Sequence, residues 1–470
     1  MKRYVIMFIL LMTTAISLFG MTLEQCIDLA LKNNKALLSS VEDKEMADQL
    51  YYEARGSLLP QLSLQGAYNL STTWLPESSK APTADFSSEL DDNATGNDST
   101  LAGIMSYITN SMMPSDPMKE GSVVAQLKFS QILFSGGKLI NGIHAVNKYR
   151  SIQGKRIDLL KQDLITNTTN MFYQTLLARK LWEVQEEGLA LAKDHLKQVE
   201  TFNGEGQVSE FDLLRAKLEV AKLQPDVVKA HNQYDLALSA LKKQIGSVDP
   251  RFTVDDEFQI PNQPDIFSIT NPDTLLIDLP AAQESAQKHR IELKLASINS
   301  EINTIKYKAE KGNYLPNLML NADYSIYTAA DEYAIQKNDY GTSFSVGVGF
   351  SIPLFTGLTN TAKRNYAKHE MWQAKIQERD ASEMIQLEVK QAYQNMRTAL
   401  ENYKVQLENI NLAERSLHLA QVRYENKVGI QLEVFDAQVM LSGVKLSYYN
   451  SIYEVISANQ KLKKAMGYNL

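Results

Sequence analysis

The chain has 470 residues, 44% of them hydrophobic and 22% charged, which is too apolar and too weakly charged for a disordered polymer. Forty-eight basic against 55 acidic side chains leave a net charge of −7, which argues against nucleic acid as a partner. One cysteine, Cys26, excludes an internal disulfide framework and any multi-cysteine metal site. No Gly-rich phosphate loop, HExxH or Gly-x-Ser-x-Gly stands in the sequence, so nothing supports an enzyme, a cofactor or a metal centre.

Residues 1–17 have the parts of a secretory signal peptide. Lys2 and Arg3 form a positive start, Val5 to Met12 an apolar stretch too short to span a bilayer, and Ala15 and Ser17 a small-residue cleavage site. A cut as late as residue 20 is also compatible. The bulky, polar Leu23, Glu24 and Gln25 before Cys26 do not suit a lipid anchor, so Cys26 reads as a buried thiol of the first helix. No later run reaches the length of an apolar membrane helix. An exported chain of this kind is either soluble or inserted as a β-barrel.

One architecture is written twice. A shift of 256 sets Leu37 on Leu293, Gly56 on Gly312, Leu59-Pro60 on Leu315-Pro316, Leu64 on Leu320 and Tyr68 on Tyr324. A shift of 221 sets Ser130 on Ser351, Leu133-Phe134 on Leu354-Phe355, Gly136 on Gly357, Leu241 on Leu462 and Gly246 on Gly467. The shifts differ by 35 residues, which the first copy carries as an exposed loop over 71–121, crowded with Pro, Ser, Asp and Asn. The copies span 22–246 and 278–467, joined by an irregular linker over 247–277 with four prolines. Each copy reads as helix, strand, loop, strand, long helix, returning helix.

The first long helix runs from about Lys138 to Phe202, and the second is its equivalent under the 221 shift. Their apolar stripes alternate steps of four and three: Leu164, Thr168, Met171, Thr175, Ala178, Trp182 in the first, and Ile385, Val389, Ala392, Met396, Ala399, Tyr403 in the second. Such heptad spacing marks coiled-coil packing. Turns at Asn203, Gly204 and Gly206, and at Val428-Gly429, send each helix back antiparallel, and Pro225 predicts a kink or short break in the first returning helix.

Four strands complete the pattern, over 61–70, 122–130, 316–326 and 343–352. One face carries Leu62, Leu64, Tyr68, Phe129, Leu318, Leu320, Tyr324, Phe344, Val346, Val348 and Phe350, and the other is polar or small. About ten residues with that alternation suits a transmembrane β-strand, whose apolar face meets outer-membrane lipid. A half-buried strand of a soluble sandwich has the same alternation. Four strands cannot close a barrel alone, so the barrel is shared, and three chains supply twelve strands.

The chain resembles the TolC-like outer-membrane efflux protein family over essentially its whole mature length. The residues that carry this are Thr22-Leu23-Glu24-Gln25 through Asn33-Asn34, Leu-Pro-x-Leu at Pro60 and Pro316, Leu133-Phe134-Ser135-Gly136-Gly137, Pro353-Leu354-Phe355-Thr356-Gly357 and Glu433-Val434-Phe435-Asp436-Ala437. The resemblance implies an α+β membrane protein of the outer membrane, spanning into the periplasm: a homotrimer with a twelve-stranded barrel continued by a helical barrel. It implies a passive export duct of a tripartite efflux or type I secretion system, engaged by a periplasmic adaptor (membrane fusion) protein and an inner-membrane RND or ABC-type transporter. Val428, Gly429 and Ile430 resemble the family's adaptor-docking tip, and Gly204 and Gly206 mark the first-copy tip, which departs from that triplet. Glu433 and Asp436 match the family's paired acids of the periplasmic gate, where three copies would favour cations. They also suit the acidic first turn of a helix. Their first-copy counterparts, Asp212 and Arg215, suggest a salt bridge. The six histidines, His144, His195, His231, His289, His369 and His418, lack metal-ligand spacing and read as helix-surface residues. A periplasmic coiled-coil adaptor or scaffold is the alternative, and the four strands argue against it.

Overall fold

A computed structural model of the chain describes residues 21–74, 76, 84–89, 95–112, 118–247, 252–254, 278–330, 335–426 and 428–468. The expected signal peptide and most of the expected linker lie outside them. The elements of the first half are α1 (Leu23–Asn33), α2 (Lys35–Gly56), β1 (Gln61–Thr73), α3 (Gly96–Ser111), β2 (Met118–Ser135), α4 (Lys138–Gly204) and α5 (Glu210–Ile245). The second half carries α6 (Leu279–His289), α7 (Ile291–Lys311), β3 (Asn317–Ala330), β4 (Tyr340–Ser351), α8 (Thr359–Glu425) and α9 (Gln431–Ala465). Apart from α3, the two halves run in the same order. The chain divides into a unit of residues 51–144 and 305–367, which holds the sheet, and a unit of the remaining residues.

In the helical unit the heptad stripes are the core. Ile385, Val389, Ala392, Met396, Ala399 and Tyr403 of α8 are all buried, as are Leu164, Thr168 and Thr175 of α4. They meet Ile452, Val455 and Ile456 of α9 and Leu241 and Ile245 of α5. Each fully buried Val or Leu contributes roughly 1.5–3 kcal/mol. Ala and Thr keep the backbones close, and the Thr175 hydroxyl donates back to the Met171 carbonyl at 2.8 Å. At about 1.5 Å per residue, the 67 residues of α4 and of α8 make helices of roughly 100 Å.

Three details differ from the sequence reading, and a fourth adds to it. The first helix of each copy is two helices, interrupted at the equivalent positions Asn34 and Arg290, both with non-helical backbone. The Asn34 side chain accepts from the amides of Ala36 and Leu37 at 3.0 and 3.2 Å, capping α2. The buried Arg290 guanidinium donates to both carboxylate oxygens of Glu388, at 3.3 and 2.7 Å, and to the Lys464 carbonyl at 3.1 Å. Helix α5 runs through Pro225 without a break. The start of the linker is packed: Phe252 and Val254 are buried, and the Met21 amide donates to the Thr253 carbonyl at 2.9 Å. The segment read as a loop over 71–121 contains the 16-residue α3.

The sheet is antiparallel, in the order β1-β2-β3-β4. Its register repeats with the sequence. Leu62 faces Phe129 and Leu64 faces Leu127 in the first copy, and their equivalents Leu318 and Phe350, and Leu320 and Val348, pair in the second. Between the copies, Leu127 pairs with Tyr324 and Lys128 with Asp323. Every row therefore has one side. Leu64, Leu127, Tyr324 and Phe344 form one apolar row, and Leu62, Phe129, Ala322 and Val346 the next. The opposite face carries Ser63, Lys128, Asp323 and Ser345, with the Gln126 amide 3.4 Å from the Asp323 carboxylate. Leu62, Leu64, Tyr68, Tyr324, Phe344, Val346, Val348 and Phe350 are exposed, Leu64 at 76%, whereas Phe129, Leu318 and Leu320 are half-buried.

Two glycines join the copies. Gly136, in the left-handed region at φ 64°, lies so close to Gly312 that an added Cβ would clash with that residue's carbonyl. Gly137 also has positive φ, but a Cβ there would meet only Asn141 at 3.6 Å. Gly137→Ala should cost about 1–2 kcal/mol of backbone strain. Gly136→Ala should cost more, or block refolding. Thermal unfolding in detergent compares the two, and equal melting temperatures would contradict this packing.

Candidate functional site

The best-defined candidate site is the pair of helix tips, where α4 turns into α5 and α8 into α9. At the first tip, Gly206 takes φ 73°, the Asn203 side chain donates to the Val208 carbonyl at 3.0 Å, and Ser209 caps α5. Asp212 completes that cap: its carboxylate accepts from the Ser209 hydroxyl at 2.6 Å and from the Ser209 amide at 3.3 Å. Gly204 has open space around it. At the second tip, the amides of Val428 and Gly429 donate to the Arg423 carbonyl at 2.9 and 3.0 Å. A Cβ on Gly429 would lie 2.9 Å from the Glu433 carboxylate and 3.0 Å from Arg423 Cβ, so only glycine fits without displacement. Val428 and Ile430 project outward, 73% and 61% exposed.

The four residues expected at a gate fall into different settings. Glu433 pairs with Arg423, its carboxylate 3.3 Å from Nε, an exposed pair worth about 0.2–1 kcal/mol. Asp436, one turn on, is exposed, and no ion pair engages it among the described residues. The expected Asp212–Arg215 bridge does not form. Asp212 is held in the cap, and the Arg215 guanidinium lies 6.0 Å from the Phe435 ring centroid.

Two tip residues have no place in the sequence reading, Arg423 and Tyr424, and a third, His195, stands there as a surface histidine. The 221 shift sets Arg423 and Tyr424 on Phe202 and Asn203, so no repetition marks them. Tyr424 packs edge-on to His195 and tilted against Phe202, at ring distances of 5.6 and 6.4 Å. Burial, aided by the nearby Asp212 charge, pushes its phenol pKa up. His195 is not a surface histidine: its Nε2 is buried without a hydrogen-bond partner, and burial pulls its pKa below the ordinary value. His231 also packs, edge-on to Trp182 at 4.6 Å. No cluster of His, Cys, Asp or Glu among the described residues could hold a metal ion. Among them, too, no helix is long and apolar enough to cross a membrane.

A sheet with one continuous apolar face, carried by a chain that is otherwise heptad-patterned helix ending in tight glycine turns, defines the class of barrel-and-coil channel proteins. The chain belongs to the outer membrane efflux protein family, which matches residues 26–247 and 283–468, and this makes it an outer-membrane protein. It is 21% identical to the outer membrane protein TolC of Escherichia coli, over 93% of this chain and 80% of that one. It is 22% identical to the outer membrane efflux protein BepC of Brucella suis, over 93% and 83%. The crystal structure of the Campylobacter jejuni CmeC outer membrane channel has the same fold, with TM-score 0.74 at 16% identity, covering 95% of this chain and 85% of that one.

The tip should respond to acid. His195 has a depressed folded pKa, so its contribution to stability is complete above about pH 6.5 and is lost as pH falls through the folded value. Replacing His195 with Gln should flatten the drop in melting temperature between pH 7 and pH 5. NMR should show His195 protonating below the ordinary histidine range. An ordinary His195 titration would contradict the burial.

Proposed function

We propose that three copies of the chain close one twelve-stranded barrel through the outer membrane and act as a passive export duct. Periplasmic adaptor hairpins dock at Val428, Gly429, Ile430 and the Gly204–Gly206 turn, and an RND or ABC-type inner-membrane transporter supplies cargo and energy. The observation that carries this reading is an unfilled copy of a contact the chain makes with itself. Gly136 and Gly312 meet between the two halves, whereas their equivalents Gly357 and Gly56 have nothing within 4 Å. Leu354 and Phe355 are 94% and 82% exposed, more than Leu133 and Phe134, their counterparts at 53% and 40%. Among the described residues no strand pairs with the outer edges of β1 and β4, and backbone groups at such an edge cannot stay unpaired in lipid.

Carrying the β2–β3 register over by the two shifts sets β4 of one chain beside β1 of the next, with Val348 opposite Tyr68 and Gly349 opposite Ala67. The apolar rows then run on around the barrel as its lipid face. The band from Leu318 to Thr328 is about ten residues, which at about 3.3 Å each and a tilt of about 40° spans roughly 25 Å of membrane. The helices carry matching unfilled seams. Val405, Leu412 and Leu419 of α8 are exposed at steps of seven, and Phe211, Leu214 and Leu218 of α5 at steps of three and four, and these are positions for helices of a neighbouring chain. A soluble adaptor or scaffold gives no reason for the exposed sheet face.

Cross-linking tests the assembly. With Cys26 replaced by Ala, Gly349→Cys and Ala67→Cys should link chains to one another in membranes, and Ser345→Cys with Ala67→Cys, displaced by four residues, should not. Failure of the first pair would remove the reading.

Charge selectivity tests the gate. Glu433 is paired with Arg423 and Asp436 is not, so three Asp436 carboxylates set most of the cation preference. In planar bilayers, Asp436→Asn should weaken cation selectivity and block by multivalent cations from the tip side, and Glu433→Gln should do so less. Unchanged selectivity in the double variant would move the constriction elsewhere in the tube.

A further inference from the structure

The connection between β1 and β2 is longer than its equivalent between β3 and β4 by the 35 residues that distinguish the two shifts. The second copy pairs its strands without this insertion, so the sheet does not need it. What the insertion adds is α3, tied to the segment before it. The Asn110 side chain donates to the Ala84 carbonyl at 3.0 Å and accepts from the Ala84 amide at 2.9 Å, and the Phe86 amide donates to the Ser106 hydroxyl at 2.9 Å. Ser106 and Asn110 lie on the same helix face as the buried Ala102. The helix therefore uses its polar face to hold its own chain. Its opposite face carries Leu101, Ile104, Met105, Ile108 and Met112, every one exposed, Met112 at 82%. Ordinary amphipathic packing is reversed.

A stripe of this kind, away from the chain's own packing, marks an interface. An anionic lipid surface is a poor occupant, because helices lying on such surfaces carry Lys and Arg, and the one charged residue of α3 is Asp98. A second copy is a good one. The insertion leaves the sheet from β1, the edge strand that meets the next chain, at the Thr73–Met118 end of the ladder and away from the Gln61 end that follows α2. Three copies therefore bring three insertions to one mouth. Twelve strands spaced about 4.8 Å apart and tilted about 40° make a barrel of roughly 12 Å radius. Three touching helices of about 10 Å diameter fit within a circle of roughly 11 Å radius.

We infer, resting on the trimeric reading above, that the α3 helices of three chains pack their apolar stripes together and cap the outer mouth of the barrel. In full-length protein with Cys26→Ala, Met105→Cys should be joined between chains by a short bis-maleimide in membranes. A Leu101→Ser, Met105→Ser, Ile108→Ser triple variant should raise single-channel conductance about twofold or more. If Gly349→Cys with Ala67→Cys cross-links and Met105→Cys does not, the trimer stands and the cap is overturned. If neither links, both readings fail. Quenching of a fluorophore on Met105→Cys by spin-labelled lipid would place the stripe in the membrane and overturn the cap. So would unhindered reaction of Met105→Cys with a water-soluble maleimide in the purified trimer, which would leave the stripe for a foreign partner.

Discussion

A backbone amide or carbonyl facing hydrocarbon has no water to bond with, and leaving it unpaired costs several kcal/mol. Four antiparallel strands in one chain pair three ladders and leave two edges open. In hydrocarbon such edges need partners from outside the chain. The duplication supplies the means. A contact that already works between the two halves, β2 against β3, has a free equivalent on each outer edge, and copies of the chain can use it repeatedly until the ring closes.

The helices answer the same demand in water. Their inner stripes are filled within the chain by Val389, Val455, Leu241 and Ile245, which supplies the burial that stabilises a lone chain. Their outer stripes, Val405, Leu412 and Leu419, are not filled. Heptad helices with two seams can join a closed ring of neighbours, whereas a helix with one seam stops at a pair. The tips are built differently. There the ordering comes from caps, a glycine-tight turn, an exposed ion pair and a small buried cluster around Leu417, Val434 and Tyr424, a smaller apolar burial than that of the main core.

Most of the architecture was legible because repetition and periodicity are written in residue type. The strands, their apolar face, the long helices and the turns at Gly204–Gly206 and Val428–Gly429 all follow from alternation, heptads and glycine position. Features that depend on one side chain's partner were not legible. Asn34 and Arg290 break the first helices through a cap and a buried guanidinium, and neither leaves a periodic trace. Asp212 and Arg215 have opposite charges three apart on one helix, yet a serine hydroxyl and a phenylalanine ring claim them instead. His195 looks like any helix-surface histidine until Tyr424 covers it from another helix. Helix α3 was hidden by the Ser, Asp and Asn around it, since composition averaged over 71–121 outweighs a stripe of five apolar residues.

Assembly is the claim on which the rest depends, and mass is its most direct measure. Extracted in mild detergent and examined by native mass spectrometry, the mature protein should carry the mass of three chains, and Gly56→Ala, which places a methyl where Gly357 of a neighbour is expected, should shift it toward single chains. A stable single chain or pair for the unaltered protein would contradict the account.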